Sequence, residues 1–394
     1  MSEVNTKKFK SDPDSESIFG HGFADIIDRW DWDETVALVE NATDEDVRRV
    51  LAKATGPKRL DPEDFAVLIS PAATPYLEQM AAMSRHFTQE RFGKTISLYI
   101  PMYVSNECTN KCIYCGFNHD NPFSRTTLTL DQVEQECLAI KKLGPFENLL
   151  IVSGEYPSRT GVDYLEKVLD ICRPHFHNLT IEVMPMRASQ YARLVKHGLN
   201  GVVCFQETYH RQAFKHYHPH GMKSHFDWRL NGFDRMGEAG VHKIGMGALL
   251  GLEDWRGDAV MLARHLRYLQ KHYWRTRYSV NFPRMCPSES GFQPKKPIND
   301  VEMAQMIFAF RIFDHDADIS VSTREAPNFR NHILSLGATS LSAGSRTEPG
   351  GYASSPEALE QFEVTDERTP HDVARSIAAN GYDPVWKDWD AVFD

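Results

Sequence analysis

The sequence Asn106-Glu-Cys-Thr-Asn-Lys-Cys-Ile-Tyr-Cys-Gly-Phe117 contains three cysteines, Cys108, Cys112 and Cys115, in a C-x3-C-x2-C spacing. Three thiolates so close in sequence can hold a four-iron cluster and leave its fourth iron without a protein ligand. A missing protein ligand also distinguishes open catalytic metal sites from closed structural ones, because the open position can bind and activate a small molecule. The motif therefore predicts a [4Fe-4S] cluster with a catalytic role.

Two other interpretations of these cysteines are open. Together with His119 they could form a Cys3His zinc site, or they could be buried thiols that are close only in sequence. Zinc ribbons and knuckles usually combine paired C-x2-C units or add a His-x3-His partner, and the chain has no second cysteine pair of that kind. A chain of 394 residues also does not need a metal ion to stabilise a small domain. The cluster is the favoured interpretation.

Around this motif, short apolar or β-branched runs alternate with amphipathic segments, as expected of βα units around a parallel sheet. Eight runs are predicted as strands: Thr95 to Pro101, Asn148 to Ser153, Leu179 to Met184, Gly201 to Gln206, His242 to Gly247, Arg277 to Phe282, Asp318 to Thr323 and Thr339 to Ala343. Eight strands alternating with helices over about 250 residues match the closed (β/α)8 TIM-type barrel of the α/β class. An open, doubly wound sheet is the alternative.

The chain is predicted to have three parts. Residues 1–93 show helical periodicity and form a helical N-terminal extension. Residues 94–346 form the barrel. Residues 347–394 form a C-terminal cap that includes a helix from His371 to Ala379.

Two helices of the barrel segment can be recognised from the residues at their ends. Thr129 and Gln132 form a capping box at the start of the helix after the first strand. A further helix is predicted from about Asp227 to Gly240.

Polar residues concentrate where the predicted strands end. These strand-end residues include Gly154, Glu155, Glu182, Gln206, Arg324 and Ser342. In a barrel, the carboxyl ends of all strands share one face, and this face carries the active site. We therefore expect the strand-end residues to lie near the cysteines.

The composition limits the partners and the location. With 54 acidic against 44 basic residues, a net charge of -10 and no long basic run, the chain is expected to bind neither nucleic acid nor an anionic membrane. No stretch is long enough to cross a bilayer, and Met1 to Glu16 lack the apolar core of a signal peptide. Cys137, Cys172, Cys204 and Cys286 are isolated, which favours a reducing compartment, so the protein is expected to be cytoplasmic.

Three of the polar or aromatic residues have two interpretations each. Tyr114, between the second and third cysteines, could stack on a purine or be an ordinary buried tyrosine. Glu182 interrupts an apolar strand, and its carboxylate needs either a buried arginine or a ligand such as a ribose hydroxyl. Arg324 could grip a substrate carboxylate with both guanidinium nitrogens, or form an internal salt bridge to Glu325.

The cysteine loop with its internal aromatic residue, the Gly-Glu pair after the second strand and the order of strands resemble the radical S-adenosylmethionine (SAM) superfamily. Within it, the chain resembles the aromatic amino acid lyases, and above all the tyrosine lyases of thiamine thiazole biosynthesis. The segments that carry this resemblance are Asn106 to Phe117, Phe205 to His210, Tyr278 to Arg284, Ser322 to Glu325 and Ser342 to Tyr352. The similarity extends from about Phe23 to the tail Pro384 to Asp390, and so covers nearly the whole chain.

The resemblance implies that the three motif cysteines hold a [4Fe-4S] cluster whose free iron binds the amino and carboxylate groups of SAM. One electron then splits SAM into methionine and a 5'-deoxyadenosyl radical. In the family, this radical takes a hydrogen atom from the amino group of L-tyrosine, and the Cα–Cβ bond breaks to give 2-iminoacetate (dehydroglycine) and p-cresol. The protein's own task is to orient the substrate and exclude water.

The resemblance also implies roles for single residues. Arg324 would hold the substrate carboxylate with help from Ser342, and Tyr103 would line the aromatic end of the substrate. Gln206 is a further catalytic candidate. Cofactor contacts are expected from four residues: Tyr114, Gly154, Glu155 and Glu182.

Related activities remain as alternatives. A lyase that makes the carbon monoxide and cyanide ligands of iron hydrogenases shares the barrel but adds a C-terminal cluster with further cysteines, and no cysteine follows Cys286 here. A tryptophan lyase, another radical SAM mutase or synthase, and a non-catalytic metal-stabilised binding protein are the other hypotheses. The expected partners are L-tyrosine, a low-potential electron donor and thiazole synthase, which would consume the imine.

Overall fold

The structure is a computed structural model that describes residues 22–353 and 360–387. The predictions for Met1 to Glu16 and for the end of the tail, residues 388–390, lie outside these ranges. In the described ranges, no helix is long and apolar enough to cross a membrane.

Eight parallel strands form the centre of the fold. They are β1 (Thr95–Ser105), β2 (Asn148–Ser153), β3 (Asn178–Glu182), β4 (Leu199–Glu207), β5 (Lys243–Ala248), β6 (Arg277–Asn281), β7 (Asp318–Val321) and β8 (Ser340–Ser342). Each predicted strand overlaps one of them. Along β1 the outward side chains Leu98, Ile100 and Met102 are fully buried under the surrounding helices, which explains why the apolar runs were recognisable.

The sheet closes on itself. Each strand pairs with the next, and β1 pairs with both β2 and β8, through Ile100 opposite Leu149 and Leu98 opposite Leu341. The (β/α)8 barrel is therefore confirmed, and the open sheet is excluded.

Helices cover the outside of the barrel. Those that follow β1 in the chain are α5 (Leu130–Leu143), α6 (Val162–Cys172), α7 (Ala188–Lys196), α8 (Arg211–Tyr217), α9 (Phe226–Leu230), α10 (Gly232–Glu238), α11 (Trp255–His272), α12 (Asp300–Phe313) and α13 (Pro327–Ile333). The capping box of α5 is present, with the Gln132 N–H donating to the Thr129 hydroxyl. Val133, Cys137 and Ile140 form its buried apolar stripe.

The single helix predicted from Asp227 to Gly240 is wrong. The structure has two helices there, α9 and α10, separated by Asn231. The side-chain oxygen of Asn231 accepts a hydrogen bond from the N–H of Ala24 at 2.9 Å. A tertiary contact with the N-terminal segment thus accompanies the interruption, and local periodicity could not reveal that contact.

Before the barrel, four helices pack on its side: α1 (Trp32–Glu40), α2 (Asp44–Ala54), α3 (Pro62–Leu68) and α4 (Leu77–Phe92). The first three begin at the capping residues Asp31, Thr43 and Asp61. Helices α3 and α4 contact α12, so this extension shares a core with the barrel.

The C-terminal segment returns to the barrel. Helix α14 (Pro370–Ala379) matches the predicted helix, and a ninth strand, β9 (Asp383–Val385), pairs in parallel with the start of β1. Such a short strand carries too little pattern to be predicted. Fully buried Asp366 forms an ion pair with fully buried Arg330 and ties the segment to α13. The division at residues 93 and 346 remains a proposal.

Candidate active site

Two adjoining cavities lie at and below the carboxyl ends of the barrel strands. The cysteine cavity, of about 120 Å³, is lined by Cys108, Cys112 and Cys115. The barrel cavity, of about 170 Å³, extends along the barrel interior. Glu182 and Arg324 line both cavities. The barrel thus brings the cysteine motif together with two of the predicted strand-end residues.

The cysteine loop leaves β1 at Ser105 and is fixed by hydrogen bonds to its backbone. Nη1 of Arg125 donates to the carbonyl oxygens of Asn106 and Phe117, at 2.8 and 2.9 Å. Nη2 of the same side chain donates to the carbonyl oxygen of Asn118 at 2.5 Å. One guanidinium therefore holds both ends of the motif together.

The three motif thiols line one cavity, as the ligands of a single iron–sulfur cluster would. Within residues 22–353 and 360–387, no three His, Cys, Asp or Glu side chains form a group that could hold one metal ion. A four-iron cluster presents separate irons to its cysteine ligands. His119, the fourth ligand of the zinc alternative, places Nδ1 3.1 Å from the carbonyl oxygen of Cys108. Burial raises the pKa of the Cys108 thiol to about 11, so metal binding must displace its proton.

Gly154 packs against the cysteine loop. A Cβ atom at this position would lie 2.3 Å from the carbonyl oxygen of Glu107 and 3.2 Å from Cβ of Cys108. The sequence predicts that Gly154 lets the backbone approach a ligand. In the structure, the close approach that requires glycine is to the backbone of the loop, so Gly154 places the cysteines as well as lining their cavity.

Glu155 is part of a buried network of charges. One carboxylate oxygen accepts from Nη1 of Arg229 at 2.9 Å, and the other accepts from Nδ2 of Asn110 at 2.7 Å. Burial alone would raise the pKa of the Glu155 carboxyl, but Arg229 and Lys223 outweigh it and lower that pKa. Asn110 belongs to the cysteine loop, so the network connects the end of β2 to the motif.

Glu207 is the second carboxylate of this network and was not predicted as a site residue. It accepts a hydrogen bond from Nζ of Lys223 at 2.5 Å and lies 3.7 Å from Nη2 of Arg229. Its φ is 70°, the one left-handed non-glycine conformation in the described residues. Such a conformation costs about 1–3 kcal/mol, and it is retained here where the carboxylate enters the cysteine cavity.

Gln206, predicted as a catalytic residue, lines neither cavity. Phe205 and Glu207 pair with the adjacent residues Gly247 and Ala248, so Gln206 is the extra residue of a β-bulge. Its side chain is fully buried, and both amide atoms lack a hydrogen-bond partner in the described part of the chain. The bulge directs Glu207, rather than Gln206, toward the cysteines.

Glu182 ends β3 at the boundary of the two cavities. Glu182 has no hydrogen bond or ion pair to another described residue. Of the two interpretations of Glu182, pairing with a buried arginine is therefore not found. Burial raises the pKa of this carboxyl to about 7, although the Arg324 guanidinium opposes the rise. An uncompensated carboxylate in a cavity is the state expected of a ligand-binding group.

We expect the Glu182→Gln substitution to stabilise the metal-free protein at pH 8. Because the folded pKa lies above the ordinary 4.5, wild-type stability falls as the pH rises from about 4.5 through 7, where the buried group ionises. Glutamine does not ionise, so the variant does not lose this part of the free energy of unfolding, which is at most about 3 kcal/mol. Thermal unfolding at pH 4.5 and pH 8 measures the difference.

The Glu155→Gln variant is the matched control, since it should show the opposite sign. The pKa of Glu155 is lowered, so its charged form stabilises the fold above the unfolded pKa, and the substitution should destabilise the protein at pH 8. Equal melting temperatures of wild type and Glu182→Gln at both pH values would contradict the assignment.

Arg324 extends from the loop after β7 without a carboxylate partner among the described residues. Its guanidinium lies 3.4 Å from the ring centre of Phe362, and Nη1 donates to the carbonyl oxygen of Arg284 at 3.3 Å. The internal salt bridge considered for Arg324 is absent, because Glu325 pairs with Arg284 instead. A cation facing two cavities is therefore left to bind an external anion.

Ser342, the last residue of β8, supports the same loop. Its hydroxyl accepts a hydrogen bond from the N–H of Thr323 at 2.9 Å, and it lines the barrel cavity. Thr323 precedes Arg324, so Ser342 helps to fix the turn that presents the guanidinium.

Tyr103 and Tyr114 occupy different parts of the site. The Tyr103 hydroxyl in the barrel cavity donates to Oε1 of Gln361 at 2.8 Å, and Nε2 of Gln361 lies 3.9 Å from the sulfur of Cys115. Tyr114 lines the cysteine cavity, with its hydroxyl 2.8 Å from Nε2 of His218. Since Nδ1 of His218 lies 2.8 Å from the Phe214 carbonyl oxygen and must donate there, the Tyr114 hydroxyl is the donor to Nε2.

The chain is similar to known proteins along most of its length. The model of the radical SAM superfamily matches residues 102–263, and that of the biotin and thiamin synthesis associated domain matches residues 279–383. The chain is 45% identical over 370 residues to 2-iminoacetate synthase of Salmonella typhimurium (strain LT2), covering 93% of this chain and 97% of the relative. The 2-iminoacetate synthase of Escherichia coli (strain K12) is 44% identical over 368 residues, with 92% and 96% covered.

Among solved structures, HydG, a maturase of the [FeFe]-hydrogenase, superposes with a TM-score of 0.85 at 30% identity, covering 90% of this chain and 79% of HydG. Methylornithine synthase (PylB) superposes with a TM-score of 0.68 at 21% identity, covering 85% and 97%, and supports the fold alone.

Proposed function

The chain belongs to the 2-iminoacetate synthase family of the radical SAM superfamily, and from this premise we propose that it is a carbon–carbon lyase that cleaves the Cα–Cβ bond of L-tyrosine. The products are 2-iminoacetate and p-cresol, and the imine enters the thiazole moiety of thiamine. The cofactors are a [4Fe-4S] cluster and SAM, and a low-potential donor supplies the electron.

The observation that carries this proposal is the position of Arg324. Its guanidinium, which has no carboxylate partner among the described residues, lines both the cysteine cavity and a barrel cavity of about 170 Å³. A cavity of about 150 Å³ is known to hold a benzene ring, so the barrel cavity has room for an aromatic side chain. An amino acid held through its carboxylate at Arg324 would place its amino group near the cysteine cavity and its ring in the barrel.

Cys108, Cys112 and Cys115 would hold the cluster, which together with SAM supplies a 5'-deoxyadenosyl radical that can remove a hydrogen atom from the substrate. Glu155 and Glu182 would accept hydrogen bonds from the amino and ribose groups of SAM, and Tyr114 would contact its purine. Lys223 and Arg229 form ion pairs with Glu207, and Arg229 also pairs with Glu155.

Arg324 would grip the substrate carboxylate with both nitrogens of its fork, because a bidentate pair fixes direction as well as position. Phe362 covers one face of the guanidinium, and both side chains line the two cavities. Tyr103, whose hydroxyl is occupied by Gln361, would present the face of its ring to the substrate. These contacts orient the substrate and exclude water from it.

We expect the Phe362→Leu substitution to raise the KM for tyrosine about three- to tenfold, with a smaller effect on kcat. The ring–guanidinium contact is worth about 0.5–2 kcal/mol, and its loss lets Arg324 adopt other rotamers. Steady-state kinetics at varied tyrosine concentrations measure this effect. Trp274→Leu is the control, since Trp274 contacts the cation of Arg275 but is 73% exposed and lines neither cavity. An unchanged KM in Phe362→Leu would contradict the role of the ring.

The test of the proposed function is an anaerobic incubation of the reconstituted protein with SAM, a low-potential reductant and L-tyrosine. We expect p-cresol and 5'-deoxyadenosine to form together and only when tyrosine is present. Formation of 5'-deoxyadenosine with tryptophan instead of tyrosine would assign the chain to the tryptophan lyases. Absence of 5'-deoxyadenosine with either substrate would overturn the lyase proposal.

The proposal includes thiazole synthase as a protein partner. Its basis is the family together with the match of residues 279–383 to the biotin and thiamin synthesis associated domain. An imine in water hydrolyses, so an acceptor bound close to the lyase would preserve the product. Co-elution of the two proteins in size-exclusion chromatography is expected, and separate elution with no gain in thiazole yield from mixing would argue against the complex.

A further inference from the structure

Asn281 is the last residue of β6, and the donor group of its side-chain amide is unpaired among the described residues. Its Nδ2 is buried and has no hydrogen-bond partner among the described residues. Asn281 lines the barrel cavity but not the cysteine cavity, whereas Arg324 lines both. A buried donor without a partner is unfavourable, so a ligand that satisfies it gains affinity.

The strand register places Asn281 deeper in the barrel than Arg324. Asn281 pairs with Ser320 of β7, and Ser320 precedes Arg324 by four residues. β7 ends at Val321, and Arg324 lies in the turn that follows, so Asn281 is at a lower level of the barrel than the backbone of Arg324. A ligand that is held at Arg324 and extends down the barrel cavity would pass the side chain of Asn281.

Gly245 of the neighbouring strand packs closely against Asn281. A Cβ atom there would approach Cγ2 of Val203 to 2.8 Å, Oγ of Ser279 to 3.0 Å and Nδ2 of Asn281 to 3.3 Å, so glycine lets these side chains pack close together. The φ of Gly245 lies outside the left-handed region, so the backbone does not require glycine at this position. Leu150 and Val203 supply apolar wall in the same cavity. The cavity therefore combines room for a ring with one polar contact.

We propose that the side-chain amide of Asn281 binds the phenol hydroxyl of the substrate and so selects tyrosine over phenylalanine. This inference rests on the proposed function and adds the group that reads the distal end of the substrate. An amide suits a phenol because Nδ2 donates to the phenol oxygen while Oδ1 accepts the phenol hydrogen. Phenylalanine fills the same space but leaves the buried amide unpaired, which is how sites built around a hydroxyl reject the analogue that lacks it.

The experiment is isothermal titration of L-tyrosine and L-phenylalanine into anaerobic, cluster-loaded protein with SAM and no reductant, so that binding is measured without turnover. For wild type we expect tyrosine to bind at least tenfold tighter than phenylalanine. In Asn281→Leu, tyrosine affinity should fall about tenfold and phenylalanine affinity should stay the same or rise. Ser279→Ala is the matched control, because Ser279 lies two residues away on the same strand and lines the same cavity.

Phenylalanine binding also shows whether each variant is folded. If Asn281→Leu binds neither ligand, the titrations are repeated with Asn281→Ala. A wild-type preference for tyrosine that survives in the folded Asn281 variant would overturn the role of Asn281 and leave the proposed function intact. Loss of the preference in Ser279→Ala to the same degree would also overturn it. Failure of wild type to bind tyrosine would overturn the proposed function, and this inference with it.

Discussion

Replacement of Arg324 by alanine is expected to raise the KM for tyrosine by roughly 100-fold or more while the protein keeps its iron. Two hydrogen bonds between charged groups, each worth about 1.5–3 kcal/mol, are lost with the guanidinium. Arg324 is not a cluster ligand, and the carboxylate that follows it in sequence, that of Glu325, is already paired with Arg284. Steady-state kinetics and iron analysis of the same preparation measure both effects.

The Arg324→Lys variant separates charge from geometry. Lysine keeps the positive charge but cannot form the two parallel hydrogen bonds or stack its planar group on Phe362. We expect its KM to lie between those of wild type and Arg324→Ala. If tyrosine dependence is unchanged in the alanine variant, the substrate carboxylate binds elsewhere and the assignment of Arg324 fails.

Much of the barrel was predictable because its signals are local. Each strand is a short apolar run bounded by polar residues, and the capping box of Thr129 and Gln132 marks the start of helix α5. The cysteine motif is local too, since all three thiols lie within eight residues of one loop. Arg324 and Ser342 were predictable as site residues because barrel strands end on a common face.

Other site residues depend on contacts that no local pattern encodes. Lys223 and Arg229 belong to the connection between β4 and β5, and only the folded chain shows that they neutralise Glu155 and Glu207. The bulge that turns Glu207 toward the cavity depends on the register between β4 and β5, which a single strand sequence does not show.

The contacts of the C-terminal segment with the site are likewise not encoded in any local pattern. Gln361 contacts Tyr103 and Cys115, and Phe362 contacts Arg324, across separations of 38 to 258 residues along the chain. A cap at this end of the chain was predicted, but not that it would reach the guanidinium of Arg324. The site is therefore completed by a segment outside the strand–loop pattern that predicted the rest of it.

Replacement of Cys112 by serine is expected to reduce the iron content to background and to abolish formation of 5'-deoxyadenosine. Thiolates are the ligands that hold iron–sulfur clusters, and a site with three cysteines keeps only two after the change. Cys112 is 4% exposed, so a hydroxyl in its place faces the cavity interior and is a poor substitute ligand. Iron and sulfide analysis, together with the visible absorption of the anaerobic protein, measure the loss.

The decisive comparison is with Cys286→Ser and His119→Ala, which should both keep about four irons. Cys286 lines the same cavity as the motif cysteines, and its sulfur contacts the carbonyl oxygens of Arg284 and Arg324 at 3.7 and 3.9 Å. If proximity alone made a ligand, Cys286→Ser would lose iron as Cys112→Ser does. If the site were Cys3His zinc, His119→Ala would lose metal and wild type would contain zinc. Iron retained in both controls and lost in Cys112→Ser assigns the cluster to the C-x3-C-x2-C loop, since only its three thiols are then required.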